Sequence, residues 1–137
     1  MNKVSDVMTS DVKVVRPDES VQTAAAIMSE EDVGALPVCD GTRLQGMITD
    51  RDIVVRAVAS GRGVDTPVRE VMTEEVIWCT EDDGIPDLLK RMGAEQIRRI
   101  PVLDRNRNLV GIVALGDLAI QQDAGVDEAL RDISMPA

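Results

Sequence analysis

The chain has 137 residues and a formal net charge of −10, enough length for one compact domain or two half-domains sharing a core. That charge argues against a nucleic-acid partner, whose backbone is bound chiefly through lysine and arginine, and a hydrophobic fraction of 44% excludes general disorder. There is neither an apolar run of about 18 residues nor a signal-like N-terminal stretch, so no membrane span or secretion is expected and a cytoplasmic location is.

Histidine is missing altogether, which removes the commonest general base. Phe and Tyr are also missing and Trp78 is the sole aromatic residue, so the core must be built from Val, Ile, Leu, Ala and Met. Trp78 reads as core or subunit contact rather than a stacking platform.

In chain order, Val12 to Val15 is a short β-branched run that Arg16-Pro17 should end. Behind a Ser20 cap, Val21, Ala24, Ala25 and Met28 fall at helical spacing. Ala35 to Cys39 and Leu44 to Thr49 read as two strands of a hairpin turning at Asp40-Gly41. A further helix is expected from about Asp50 to Ala59, and Ser60-Gly61-Arg62-Gly63 breaks the unit.

The same order then recurs. Val7-Met8-Thr9 returns as Val71-Met72-Thr73, Met28 as Met92, Pro37-Val38 as Pro101-Val102, Gly46 as Gly111 and Asp52 as Asp117. The helical stripe returns as Ile85, Leu88, Leu89 and Met92, with Pro86 tolerated in the first turn. The hairpin returns as Arg99 to Leu103 and Leu109 to Ala114 about a turn at Asp104 to Asn108, and a last helix is expected from about Gly116 to Gln122. Internal repetition of this kind marks one supersecondary unit that cannot bury its apolar face alone. The fold class is therefore α+β, with two pseudo-symmetric β-α-β-β-α repeats at 1-62 and 63-125 and a tail at 126-137. Cys39 and Cys79 occupy different places in the two copies, and each reads as a reduced, buried thiol. Without His or a CxxC pair no metal site is expected.

The chain resembles a tandem pair of cystathionine-β-synthase (CBS) domains, a Bateman module of the small standalone bacterial type. The resemblance rests on four features that occur in order and twice. They are Asp-Val-Met-Thr and Glu-Val-Met-Thr, Ala-Leu-Pro-Val and Arg-Ile-Pro-Val, the hairpins, and Gly-Met-Ile-Thr-Asp-Arg-Asp with Gly-Ile-Val-Ala-Leu-Gly-Asp. It implies two copies packed through their sheets, with adenosine-containing ligands (AMP, ADP, ATP, NAD or S-adenosylmethionine) in the clefts between them. It also implies a homodimer and a regulated protein partner of unknown identity.

The family's ligand motif, G-h-x-T/S-x-x-D, stands whole from Gly46 to Asp52. The strand ends at Thr49 and a helix begins, so free backbone N–H groups and the positive end of the helix dipole are expected to meet an anion there. Thr49 could reach a phosphate or ribose oxygen, Asp52 could accept from both ribose hydroxyls, and Gly46 would serve the hairpin. Thr49-x-x-Asp52 is equally the pattern of a capping box, in which the two side chains satisfy each other's backbone N–H. In the second copy Ala114 replaces the threonine, at a cost of about 1 kcal/mol for the lost hydroxyl contact, while Asp117 remains. Arg51, Arg98 and Arg99 are the candidate phosphate partners in this acidic chain. The resemblance places an adenine pocket at Arg16 with Val33 and Gly34, and at Thr80 with Ile97 and Arg98.

Three functions follow in order of support: a non-catalytic sensor of an adenosyl ligand, an interaction or scaffold module that binds none, and an enzyme. The last has no nucleophile–base pair or metal cluster to rest on.

Overall fold

The computed structural model describes residues 3–116 and residue 118. Asp117, most of the expected last helix and the tail lie outside the described residues. The chain divides into two compact units. One is Lys13–Val76, and the other joins Met1–Val12 to the chain from Ile77 onward. These units are offset from the sequence repeats, because each Val-Met-Thr segment belongs with the other copy's hairpin. Thr9 pairs with Ile112, and Thr73 pairs with Met47.

In the unit Lys13–Val76, helix α1 (Val21–Glu31) starts where the Ser20 hydroxyl accepts the Thr23 N–H at 3.1 Å. It ends at Asp32, whose φ of 55° is the left-handed conformation common at helix C-termini. Strands β1 (Ala35–Asp40) and β2 (Arg43–Thr49) form an antiparallel hairpin, with Gly41 (φ 64°) supplying the turn. Val21, Ala24 and Met28 of α1 share one buried cluster with Leu36, Val38 and Ile48 of the hairpin. Ala25, expected on the same stripe, is exposed. The cluster needs only a narrow strip of this helix.

The strand expected at Val12 to Val15 reduces to one parallel bridge, Val15 to Val38. Val15 donates to Pro37 at 3.1 Å and accepts from Cys39 at 2.9 Å, and Pro17, which has no N–H, cannot extend the ladder.

The helix expected from Asp50 is α2 (Asp50–Asp52) followed by wider π-type turns over Ile53–Val58. In these Ala59 donates to Val54 and Arg62 to Ala57. The run Ile53-Val54-Val55 is β-branched, and such side chains crowd the tighter α turn.

In the second unit, β3 (Cys79–Thr80) lies parallel to β4 (Arg99–Leu103), which pairs antiparallel with β5 (Leu109–Ala114). Helix α3 (Ile85–Glu95) carries Pro86 in its first turn and buries Ile85, Leu88, Leu89 and Met92 against Ile100, Val102 and Val113. The sheet order is β3-β4-β5. No helix among the described residues is long and apolar enough to cross a membrane.

Candidate functional site

The register of the first hairpin decides where the motif residues stand. Ala35 lies opposite Thr49, so Val33 and Gly34, just before β1, come beside the start of α2. Asp50 donates its N–H to the Gly34 carbonyl at 2.9 Å. A Cβ on Gly34 would sit 3.1 Å from an Asp50 carboxylate oxygen, so little room remains there for a larger residue. The Val15 bridge brings Arg16 to the far edge of β1. Val33 packs partly against the unit's core. The backbone thus brings Val33 and Gly34 beside Thr49, Arg51 and Asp52, whereas the parallel Val15–Val38 bridge sets Arg16 toward the Cys39 end of β1, away from them.

The capping box forms. The Thr49 hydroxyl accepts the Asp52 N–H at 3.0 Å, and an Asp52 carboxylate oxygen accepts the Thr49 N–H at 3.0 Å. This does not exhaust either side chain. A hydroxyl that accepts one bond still has its O–H to donate, and a carboxylate has about four acceptor positions. The cap therefore orients both groups and leaves Thr49 a donor and Asp52 further acceptors.

The expectation of free helix amides is overturned. Asp50 N–H goes to Gly34, Arg51 N–H to the Asp50 carboxylate at 2.8 Å, and Asp52 N–H to Thr49. Asp50 itself occupies the N-terminal position an anion would take, since a carboxylate is favoured there for the same reason. A phosphate at this motif would have to be met by side chains. Arg51 is exposed and makes no ion pair among the described residues, whereas Arg16 is engaged with Asp18 at 3.4 Å.

Asp52 has a further neighbour. Its second carboxylate oxygen stands 3.8 Å from Nε of Arg56, and Nη1 of Arg56 donates to the carbonyls of Met72 at 3.1 Å and Val71 at 3.4 Å. The four-residue spacing of Asp52 and Arg56 was visible in the sequence as a helix-surface pair. The carbonyl partners were not, because every residue carries one.

The second unit repeats the layout with different side chains. Leu115 donates to the Arg98 carbonyl at 2.8 Å, Arg99 lies opposite Ala114, and Thr80 lies opposite Leu103. Thr80 is already held by Asp83, which accepts from its N–H at 2.9 Å and pairs with its hydroxyl at 3.0 Å. Ile97 packs partly on the core, Arg98 is exposed and Arg99 half-buried, and neither arginine is ion-paired among the described residues. Trp78 is half-buried, outside the fully buried core, with Arg107 5.6 Å from its ring centroid.

Gly46 belongs to the hairpin. It lies within β2 opposite Val38, beside an irregularity in the register, and the Thr73 backbone crosses it closely. Cys39 and Cys79 are buried free thiols. Burial pushes the Cys39 pKa up to about 11 and is the main cause of the rise to about 12 at Cys79.

Two copies of a small α+β unit, each built on a hairpin and one long helix, define a tandem-repeat module. The model of the CBS domain family matches twice, at residues 4–58 and 68–121, and the chain belongs to that family. It is 46% identical over 136 residues to the CBS domain-containing protein YhcV of Bacillus subtilis, covering 98% of this chain and 96% of the relative. It is 39% identical over 121 residues to Hypoxic response protein 1 of Mycobacterium tuberculosis, covering 87% and 84%.

Among solved structures, Hypoxic Response Protein I with two coordinated zinc ions superposes with a TM-score of 0.80 at 37% identity, covering 89% of this chain and 100% of that one. The CBS domain pair of protein MJ0100, in complex with 5′-methylthioadenosine and S-adenosyl-L-methionine, gives 0.77 at 29% identity, covering 88% and 95%. The sequence has no His, and no group of three His, Cys, Asp or Glu suited to a metal exists among the described residues.

Proposed function

We propose that this protein is a non-catalytic sensor that binds an adenosine-containing ligand through Thr49 and Asp52. The observation that carries this reading is the capping box itself, which orients both side chains and leaves each with unused hydrogen-bonding capacity. A ribose supplies the complement: two adjacent hydroxyls to donate to the Asp52 carboxylate, and oxygens to accept from Thr49. Adenine would lie along Val33 and Gly34, against aliphatic rather than aromatic surface, and Arg51 would meet any phosphate. The MJ0100 domain pair, with two adenosyl compounds bound, supports this class of ligand.

In the second unit Arg98 and Arg99 would serve a phosphate, with Thr80 and Ile97 at the adenine. Asp117 would hold the ribose. Ala114 weakens this site, and it is the observation that favours the rival reading of an interaction module without a ligand. Val54, Val55 and Val58, exposed by 58%, 50% and 66%, support a homodimer that covers them. For sensing, the ligand must bind one arrangement of the protein better than another, and a protein partner then reads the difference.

Thermal-shift and calorimetric titration with AMP, ADP, ATP, NAD and S-adenosyl-L-methionine tests the proposal. A ligand-dependent rise in melting temperature, lost in Asp52→Ala and kept in Asp18→Ala, is the expected result. No response to any of the five would leave the interaction module as the better reading.

A further inference from the structure

Arg56 joins the proposed ligand carboxylate to a segment distant in sequence. Its Nε faces Asp52 at 3.8 Å, and its Nη1 is held by the Met72 and Val71 carbonyls at 3.1 and 3.4 Å. Those carbonyls sit on a firm mount. Val71 is fully buried and Met72 nearly so, and Thr73 exchanges two backbone hydrogen bonds with Met47 of β2, at 2.8 and 2.9 Å. Asp52 is 14% exposed and Arg56 51%, so the contact has a sheltered carboxylate on one side and a guanidinium reaching over the strap on the other. A guanidinium suits this place because its fixed fork of donors serves two acceptors at once. In the second copy the corresponding sequence position is Gln121 rather than arginine.

We propose that Arg56 is a positioning residue for the ligand. Anchored by Val71 and Met72, its charge attracts the second oxygen of Asp52 across 3.8 Å while Thr49 N–H binds the first at 3.0 Å, and together they bias the carboxylate plane that receives the ribose hydroxyls. The linkage runs both ways: a ribose bound to Asp52 acts on Arg56, and through it on the strap Val71-Met72-Thr73. This inference rests on the proposed role of Asp52.

The test compares the affinity of the full chain for AMP and for 2′,3′-dideoxy-AMP, in wild type and Arg56→Gln, by calorimetry. Wild type should prefer AMP. Arg56→Gln should weaken AMP about fivefold and leave the dideoxy compound nearly unchanged, because only the ribose hydroxyls need an oriented carboxylate. In parallel, hydrogen exchange of the Thr73 amide should slow when AMP is added to wild type, and respond less in Arg56→Gln. Equal weakening of both compounds by Arg56→Gln would mean that Arg56 only supports the fold, and would overturn the inference while leaving Asp52 in its role. A wild type that fails to distinguish AMP from its dideoxy analogue would overturn both. Should Arg56→Gln not fold, Arg56→Lys, which keeps the charge but cannot span both acceptors, takes its place with the same expected pattern.

Discussion

A Cβ added to Gly46 would stand 2.5 Å from the carbonyl oxygen of Thr73 and 3.2 Å from the Met72 sulfur. The same relationship holds in the other unit, where a Cβ added to Gly111 would stand 2.7 Å from the Met8 sulfur and 2.9 Å from the Thr9 carbonyl oxygen. Each Val-Met-Thr strap therefore needs a glycine in the strand it crosses, and the two recurrent motifs are partners in one contact.

Gly46→Ala should destabilise the protein by about 1–3 kcal/mol, the usual cost of forcing extra volume into a packed site. The obstacle is backbone and cannot swing aside. Gly116→Ala, where nothing lies within 4 Å, should change stability by less than about 0.5 kcal/mol. Urea denaturation midpoints of the two variants make the comparison.

Thr49→Ala removes the acceptor of the Asp52 N–H and should cost about 1 kcal/mol, as for other N-caps. Thr49→Ser keeps the hydroxyl oxygen and should restore most of it. A ligand contact from the same hydroxyl would appear as a loss of affinity in Thr49→Ala beyond the change in melting temperature, read by titrating both variants with the same nucleotide.

The two buried thiols give a dependence on alkaline pH. Their folded pKa values, about 11 and about 12, lie above the ordinary 9.0. The unfolded chain thus loses these protons first as pH rises. Their contribution to stability is complete below pH 9.0 and is lost as pH climbs toward the folded values. Cys39→Ala/Cys79→Ala should flatten that decline in denaturation measured across the window. In the wild type, a thiol-specific reagent near pH 8 should react only after denaturant is added.

At the second hairpin turn, hydrogen bonding by Asn108, chiefly from its backbone N–H and with Asn106 adding to it, holds the Asp104 carboxyl below its ordinary 3.8. Here the sign is opposite. The contribution is present above 3.8 and is lost as pH falls through the depressed folded value. Asp104→Ala should remove that part of the acid sensitivity, seen as a smaller drop in denaturation midpoint than wild type shows on acidification below about pH 4.

Both long helices and both hairpins were legible in the sequence, because their signals are local: Ser20 before an apolar stripe, Pro86 in a first turn, Gly41 at a two-strand turn. The nearness of Val33 and Gly34 to Thr49 follows from hairpin register, with Ala35 opposite Thr49, and no spacing in the sequence displays it. The short strand at Val12 to Val15 was overread, since a β-branched run forms a ladder only where a partner lies alongside, and here only Val15 finds one.

What the sequence alone determined was the repeat, the long helix and hairpin of each copy, and the family, since all three are carried by side-chain type and spacing. Which copy each Val-Met-Thr strap joins, why Gly46 is glycine, how the α2 amides are used up and what Arg56 grips were decided by tertiary structure. All four turn on backbone carbonyls and amides, which every residue except proline carries alike, so no residue letter announces which distant pair will meet.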